Sequence, residues 1–216
     1  DMRFASMTEL DQADAKTPKG YGAVIVSTLE RVIAANPNHP GALHLYIHAV
    51  EASTTPERAE PAADRLLKLM PGAGHIVHMP SHIFYRVGRY EDSAAANEAA
   101  AQVDEAYIAA CKAQGFYPAG YYGHNIHFLW TSSEMEGRFA AALDASRRLI
   151  KAVDANNAAL KLAPVEVYTF TPVVTLLRFG KYEDVLKEPR PDKRLVLGTT
   201  MWLYARAIAH ADTGNL

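Results

Sequence analysis

The chain has 216 residues, and its hydrophobic fraction of 49% and charged fraction of 21% are ordinary for a globular protein. Its formal net charge of −2 gives no electrostatic reason to expect nucleic acid or an anionic membrane as a partner. No apolar run approaches the length of a membrane span. A single cysteine, Cys111, allows no intrachain disulfide, and its helical surroundings predict a small buried side chain.

Helices are predicted along most of the chain, because alanine-rich stretches carry apolar residues at spacings of three and four. In chain order these stretches are 21–35, 42–52, 56–69, 93–110 and 138–153. Alternating runs of Val, Ile and Thr are nearly absent, so no strand is predicted. Each helix is too short to be stable alone and needs a neighbour to bury its apolar face.

A motif of the form Gly-x-aromatic-x-x-small recurs between the predicted helices. It begins at Gly88, Gly137 and Gly180, a degenerate copy begins at Thr54, and Gly214 fits a further turn. The glycine permits a tight turn, and the aromatic side chain wedges between the two helices that the turn joins. The interval from Thr54 to Gly88 is 34 residues, and the interval from Gly180 to Gly214 is also 34.

This motif and this interval resemble the tetratricopeptide repeat. The resemblance implies an all-α fold, in which antiparallel helical hairpins form a right-handed superhelix within a single domain spanning 1–216. The expected hairpins are about 40–72, 74–110, 123–155, 166–190 and 198–216, with 1–39 as part of a preceding repeat.

A narrower resemblance rests on the strings HLYIHAVE, HMPSH and YYGHNIHFL, which begin at His44, His78 and Tyr121. They are similar to strings in a group of longer bacterial tetratricopeptide proteins with His-rich helices. The chain is therefore expected to be a fragment of a longer array. The sequence does not decide between the bacterial cytoplasm and the periplasm.

Seven of the nine histidines share one register when they are counted backward from the turns. Ten residues before a turn lie His44, His78 and His127. Six residues before a turn lie His48 and His82, and thirteen residues before a turn lie His75 and His124. Residues three or four apart on a helix are neighbours, so these offsets share one helix face. In the tetratricopeptide repeat, the resemblance implies that this face lines a concave groove.

A metal site in that groove is the functional prediction. The predicted ligands are His44, His48, His78, His82 and His127, and His75 and His124 are predicted to face the same groove. Imidazoles from adjacent helices can meet, because packed helices lie about 8–10 Å apart. A divalent Zn, Cu, Fe, Ni or Mn ion suits such a set, and the sequence does not choose among them.

Two glutamates occupy a further position of the register. Glu51 and Glu134 each lie three residues before a turn, and they are the predicted catalytic residues of a metal-dependent hydrolase or oxidase. Either could instead ligate the metal or orient an imidazole. Tyr85 holds the equivalent place in the middle hairpin, and Arg86 after it is predicted to hold an anionic ligand.

Two other interpretations stay open. A groove lined with His, Tyr and Arg also suits a scaffold that binds a peptide or partner protein without metal or catalysis. The histidines could equally be polar filler within the helix stack. Phe170 and Val174 take the places ten and six residues before Gly180, so the predicted site belongs to the first three hairpins.

Overall fold

The computed structural model describes residues 20–113, 116–154 and 163–214. Every regular element in these ranges is helical, and they contain no strand. The chain divides into two compact units, 1–103 and 104–216, which are described separately below. Residues 1–19 of the expected preceding repeat, residue 155 of the third hairpin and residues 215–216 of the last hairpin lie outside the described ranges.

The first unit contains the N-terminal helices and most of a long sixth helix. These are α1 (Gly22–Ala35), α2 (Pro40–Val50), α3 (Glu60–Leu66), α4 (Gly74–His78), α5 (Pro80–Arg86) and α6 (Tyr90–Cys111). A 3-10 turn, Pro56–Ala59, leads into α3, so the helix predicted over 56–69 is a 3-10 turn followed by two turns of α-helix. The other predicted helices of this unit agree with the structure to within a few residues.

The start of α2 is fixed by two local features. Pro40 occupies the first turn, where its preset φ suits a helix and its missing N–H is not needed. The ring nitrogen Nδ1 of His39 accepts a hydrogen bond from the backbone N–H of Ala42 at 3.2 Å. His39, which lies off the histidine register, therefore caps the helix that carries His44 and His48.

Two short helices, α4 and α5, take the place of one longer helix. Pro80 begins α5, and Met79 between the helices keeps helical angles of φ −52° and ψ −38°. The chain direction is therefore nearly kept across the break. His78 and His82, four residues apart on either side of Met79, remain neighbours as they would on a continuous helix.

The core of the first unit is formed by α2, α3 and α5, which pack against one another. Its fully buried members include Leu43 and Ile47 from α2, Leu66 from α3, and Ile83 and Phe84 from α5. Burying side chains of this size stabilises the fold by about 1.5–3 kcal/mol each. The histidines lie on α2, α4 and the first turn of α5.

The second unit contains the remaining helices. After a π-helical turn (Tyr117–Tyr122) come α7 (Gly123–Met135), α8 (Phe139–Asp154), a 3-10 segment (Ala163–Phe170), α9 (Thr171–Arg178), α10 (Tyr182–Lys187) and α11 (Val196–Asp212). α7 packs on α8, α8 packs on α9, and α11 packs on both α9 and α10. Val173, Leu176, Val185, Ala205 and Ala209 form the buried cluster between α9, α10 and α11.

Three of the predicted turns share one backbone geometry. Gly88, Gly137 and Gly180 have φ of +83°, +72° and +65°, in the left-handed region that favours glycine. In each turn the residue after the glycine donates its N–H to the carbonyl four residues before the glycine, for example Arg89 to Phe84 at 2.8 Å. This is the Schellman end of a helix. The repeated sequence motif therefore encodes a repeated helix ending, as predicted.

The prediction for Cys111 was wrong, because its side chain is exposed at the end of α6. The helical period identifies a face of the helix, but the tertiary packing decides whether each turn of that face is covered. Among the helices of the described ranges, none is long and apolar enough to cross a membrane.

Candidate metal centre

Five histidines of the first unit lie together, and we call them the histidine cluster: His44, His48, His75, His78 and His82. Their rings form a closed circuit. Going round the circuit, neighbouring ring centroids are separated by 4.9 Å (His44 to His48), 5.5 Å (His48 to His82), 4.8 Å (His82 to His78), 6.1 Å (His78 to His75) and 5.0 Å (His75 to His44). Four of the five members are predicted metal ligands. The structure adds the fifth, His75, which was predicted only to face the groove.

Three members have ring nitrogens close to one another. One ring nitrogen each from His44, His48 and His75 lies within 4.8 Å of the other two. The Nε2 atoms of His44 and His75 are 3.3 Å apart. Two nitrogens bound to a tetrahedral zinc ion at about 2.0–2.1 Å are also about 3.3 Å apart. The spacing of this pair therefore matches one edge of a tetrahedral metal site.

Glu51, at the end of α2, links two sides of the cluster. Its Oε1 atom lies 3.5 Å from His48 Nδ1, and its Oε2 atom is in close contact with His82 Nδ1. An imidazole whose Nδ1–H points to a carboxylate keeps its Nε2 lone pair for a metal. Glu51 thus faces imidazole with both oxygens, which is the arrangement of a residue that orients ligands.

His78 is held from behind by a buried amide. The Asn97 side chain donates from Nδ2 to the carbonyl of Ser93 at 2.8 Å, so its Oδ1 atom faces His78 Nδ1. That ring nitrogen must therefore carry the proton, and the Nε2 lone pair of His78 points the other way. The Nε2 atom of His82 lies 2.9 Å from the Nε2 atom of His78. The hydroxyl of Ser81 also lies 3.3 Å from His78 Nδ1.

Burial keeps part of the cluster neutral. Burial, reinforced by repulsion from neighbouring imidazoles, lowers the pKa of His44 to about 4 and also lowers the pKa of His75. Both rings are therefore uncharged near neutral pH, the form that binds metal. Burial alone would raise the pKa of Glu51, but its contacts with His48 and His82 outweigh burial and hold it at about 2. The cluster accordingly contains one carboxylate charge.

The predicted ligand in the second unit has different surroundings. The ring of His127 lies 5.2 Å from that of Trp130 and 5.1 Å from that of Tyr168, and burial lowers its pKa to about 4. Within the part of the chain that the structure describes, His127 belongs to no group of three possible metal ligands. His124 packs against Phe128 with ring centroids 5.0 Å apart.

Glu134 is buried in a polar chain within the second unit. The indole of Trp130 donates to Thr175 Oγ1 at 2.6 Å, and that hydroxyl donates to Glu134 Oε1 at 2.9 Å. Arg178 lies 3.8 Å from the other carboxylate oxygen. Burial raises the pKa of Glu134. The two glutamates of the register therefore have unlike partners.

Tyr85 and Arg86 lie at the end of α5. Arg86 is exposed, and one of its guanidinium nitrogens donates to the carbonyl of Ser53 at 3.2 Å. The ring of Tyr85 lies 5.3 Å from that of Tyr90. Their predicted role in holding a ligand stays a prediction.

Sequence reasoning missed Asn97, because no register position or motif marks it. It lies on α6, and its role depends on α6 packing behind α4. A buried asparagine in an alanine-rich helix face was the one available signal, since a buried amide must find hydrogen-bond partners. No protein-family model matches the chain, and no curated protein matches it either.

Proposed function

We propose that this protein binds a divalent transition metal through His44, His48 and His75. The observation that carries the proposal is the convergence of three imidazole nitrogens within 4.8 Å, with two of them at the 3.3 Å spacing of a tetrahedral edge. Desolvation of such nitrogens is costly unless they are paired, and a bound cation would pair all three at once. Histidines that only fill space within the helix stack would not need three ring nitrogens this close together.

The donor set favours particular metals. Three imidazoles without a thiolate suit Zn, Cu, Ni or Fe, and the 3.3 Å spacing is that of a four-coordinate ion such as zinc. Manganese would need carboxylate ligands, and Glu51 faces imidazole with both oxygens. Zinc is therefore the first ion to test.

Catalysis is the second step of the proposal. A metal on three imidazoles keeps a coordination position for water or substrate, as in catalytic zinc sites. Metal-dependent hydrolysis is the reaction class that this geometry supports best, with oxidation as the corresponding class for a redox-active ion. In this proposal Glu51 orients His48. The tetratricopeptide-like superhelix that would surround the site also remains a prediction.

The test is metal retention by the purified protein. The protein is stripped with a chelator, dialysed against Zn(II), and assayed for bound zinc by elemental analysis. We expect zinc in the wild type, a large loss in the double variant His44→Gln/His75→Gln, and no loss in His127→Gln as the matched control. Far-ultraviolet circular dichroism checks that each variant is folded.

Two outcomes would overturn the proposal. One is a wild-type protein that stays empty after dialysis against Zn, Cu, Ni and Fe ions in turn. The other is a folded double variant that retains as much metal as the wild type. A peptide-binding scaffold would instead bind its peptide with an affinity that a chelator does not change.

A further inference from the structure

The histidine cluster contains more nitrogen donors than one ion needs. His44, His48 and His75 supply a complete three-nitrogen set, which leaves His78 and His82 without a role in the proposed site. Glu51 contacts His48 with one carboxylate oxygen and His82 with the other.

The two remaining rings have their Nε2 atoms close together. Asn97 holds the Nδ1–H of His78, and Glu51 holds the Nδ1 of His82, so each ring keeps its Nε2 atom for another partner, and the two Nε2 atoms are 2.9 Å apart. Each ring is therefore oriented from behind in the way that ligating imidazoles are oriented. Two nitrogens on one metal at about 2.0–2.1 Å and a right angle lie about 2.9 Å apart.

A direct hydrogen bond between the two rings is the competing explanation. It requires a proton on one Nε2 atom, and Asn97 already assigns the single proton of a neutral His78 to Nδ1. His82 Nε2 would then be the donor, and a protein that binds no ion at His78 and His82 would show that this hydrogen bond is the right explanation. A metal ion between the Nε2 atoms satisfies both lone pairs with two neutral rings.

We infer that the histidine cluster holds a second metal ion, bound by the Nε2 atoms of His78 and His82. This inference rests on the proposed function in that it extends the same cluster from one ion to two. The right-angle spacing suits ions with octahedral or square-based coordination, such as Cu(II) or Ni(II), with water or substrate in the other positions. Glu51 orients one ligand of each ion, His48 for the first and His82 for the second.

The adjacent positions imply a substrate class. Two neighbouring metal ions stabilise the attacking and leaving oxygens of a phosphoryl or acyl transfer more effectively than one. A phosphate ester or a similar ester with anionic oxygens is the class of ligand that could bridge two such ions. Inorganic phosphate is the simplest probe of that class.

The experiment counts ions per chain. The stripped protein is titrated with Cu(II), and bound copper is measured by elemental analysis while electron paramagnetic resonance reports magnetic coupling between neighbouring ions. We expect two ions in the wild type, one in His44→Gln/His75→Gln and one in His82→Gln. The coupling signal should be present only in the wild type, and His127→Gln should behave as wild type.

A second variant, His78→Asn, guards against loss of folding in His82→Gln. If one ion binds and is lost only in His44→Gln/His75→Gln, the second position is overturned and the proposed function stands. If one ion binds and is lost only in the His78 and His82 variants, the proposed function is overturned. A single bound ion that is lost in every variant of the histidine cluster would overturn the second position. Two bound ions without magnetic coupling would also overturn it.

Inorganic phosphate tests the proposed substrate class. Added inorganic phosphate should change the resonance spectrum of the two-ion wild type and leave the one-ion variants unchanged. A spectrum that phosphate does not alter, or that it alters equally in all variants, would overturn the assignment of an oxyanion ligand.

Discussion

His44 and His127 occupy the same place in the sequence register, ten residues before a turn, but their surroundings differ. His44 lies against two other imidazoles, and its Nε2 atom is 3.3 Å from that of His75. His127 lies between an indole and a phenol ring. Burial lowers the pKa of both to about 4. A similar pKa therefore accompanies two different surroundings, a group of imidazoles for His44 and a pair of aromatic rings for His127.

The two glutamates of the register repeat this contrast. Glu51 faces imidazole with both oxygens and its pKa is lowered to about 2, whereas Glu134 accepts from a threonine hydroxyl and its pKa is raised by burial. The register places a residue on a helix face. The neighbours of that face decide whether it joins a binding site or a packed interior, and the following predictions test this difference.

The largest expected effect is the contribution of His127 to the free energy of unfolding at acidic pH. Above pH 6.5 the ring is neutral in both states, but between about pH 6.5 and 4 only the unfolded chain binds the proton. The free energy of unfolding therefore falls as the pH is lowered through this window, by about 3 kcal/mol in total from this residue. His127→Leu should remove that part of the pH dependence.

Urea unfolding at pH 7 and pH 4 measures this effect in the presence of a chelator, so that bound metal does not contribute. The facing titratable group is Tyr168, whose pKa burial raises, and it stays neutral throughout. An equal loss of stability in wild type and His127→Leu would show that His127 is not the desolvated group described here.

The second effect separates the two glutamates. Glu51→Gln removes the charge that orients His48 and His82, and we expect Zn(II) affinity to fall about 10–100-fold. Glu134→Gln, the matched control, should leave affinity unchanged. Competition with a chromogenic chelator measures both constants, and equal losses in the two variants would remove the distinction between them.

The third effect tests the packed character of the Glu134 region. Thr175→Val keeps the side-chain shape but leaves Trp130 and Glu134 without their shared hydroxyl. We expect the free energy of unfolding to fall by about 1–3 kcal/mol with metal stoichiometry unchanged. Thr200→Val, at an exposed threonine on α11, should cost less than about 0.5 kcal/mol. Loss of bound metal in Thr175→Val would tie this region to the site.

The smallest effect concerns the hydroxyl behind His78. Ser81→Ala removes a contact of 3.3 Å while Asn97 continues to hold the same ring nitrogen. A change of about 0.5–1 kcal/mol in the free energy of unfolding is expected, with metal affinity close to wild type. Thermal unfolding checks it, and a loss as large as that of Thr175→Val would mean that Ser81 rather than Asn97 orients His78.

Much of the local structure was predictable. Alanine-rich apolar periodicity located the helices, and the glycine motif located turns whose positive φ the structure confirms at Gly88, Gly137 and Gly180. The shared register of His44, His48, His78 and His82 correctly singled out residues that lie together. It also singled out His127, because a register carries no information about the rings that surround each copy.

Two features of the centre needed three-dimensional packing. His75 joins His44 and His48 because α4 lies beside α2, which brings the His75 Nε2 atom to 3.3 Å from the His44 Nε2 atom. Asn97 becomes the partner of His78 because α6 lies behind α4. Both contacts join residues far apart in sequence, where helical periodicity and motif spacing carry no information.

The sequence by itself determined the helical class, the helix endings and the face of each helix that carries histidine. These depend on interactions within a few residues: backbone hydrogen bonds, glycine at a positive φ, and the 3.6-residue period. The tertiary structure decided which histidines converge and which are packed among aromatic rings. Solvation and ligand geometry depend on neighbours brought from distant segments, so only packing could separate His44 from His127.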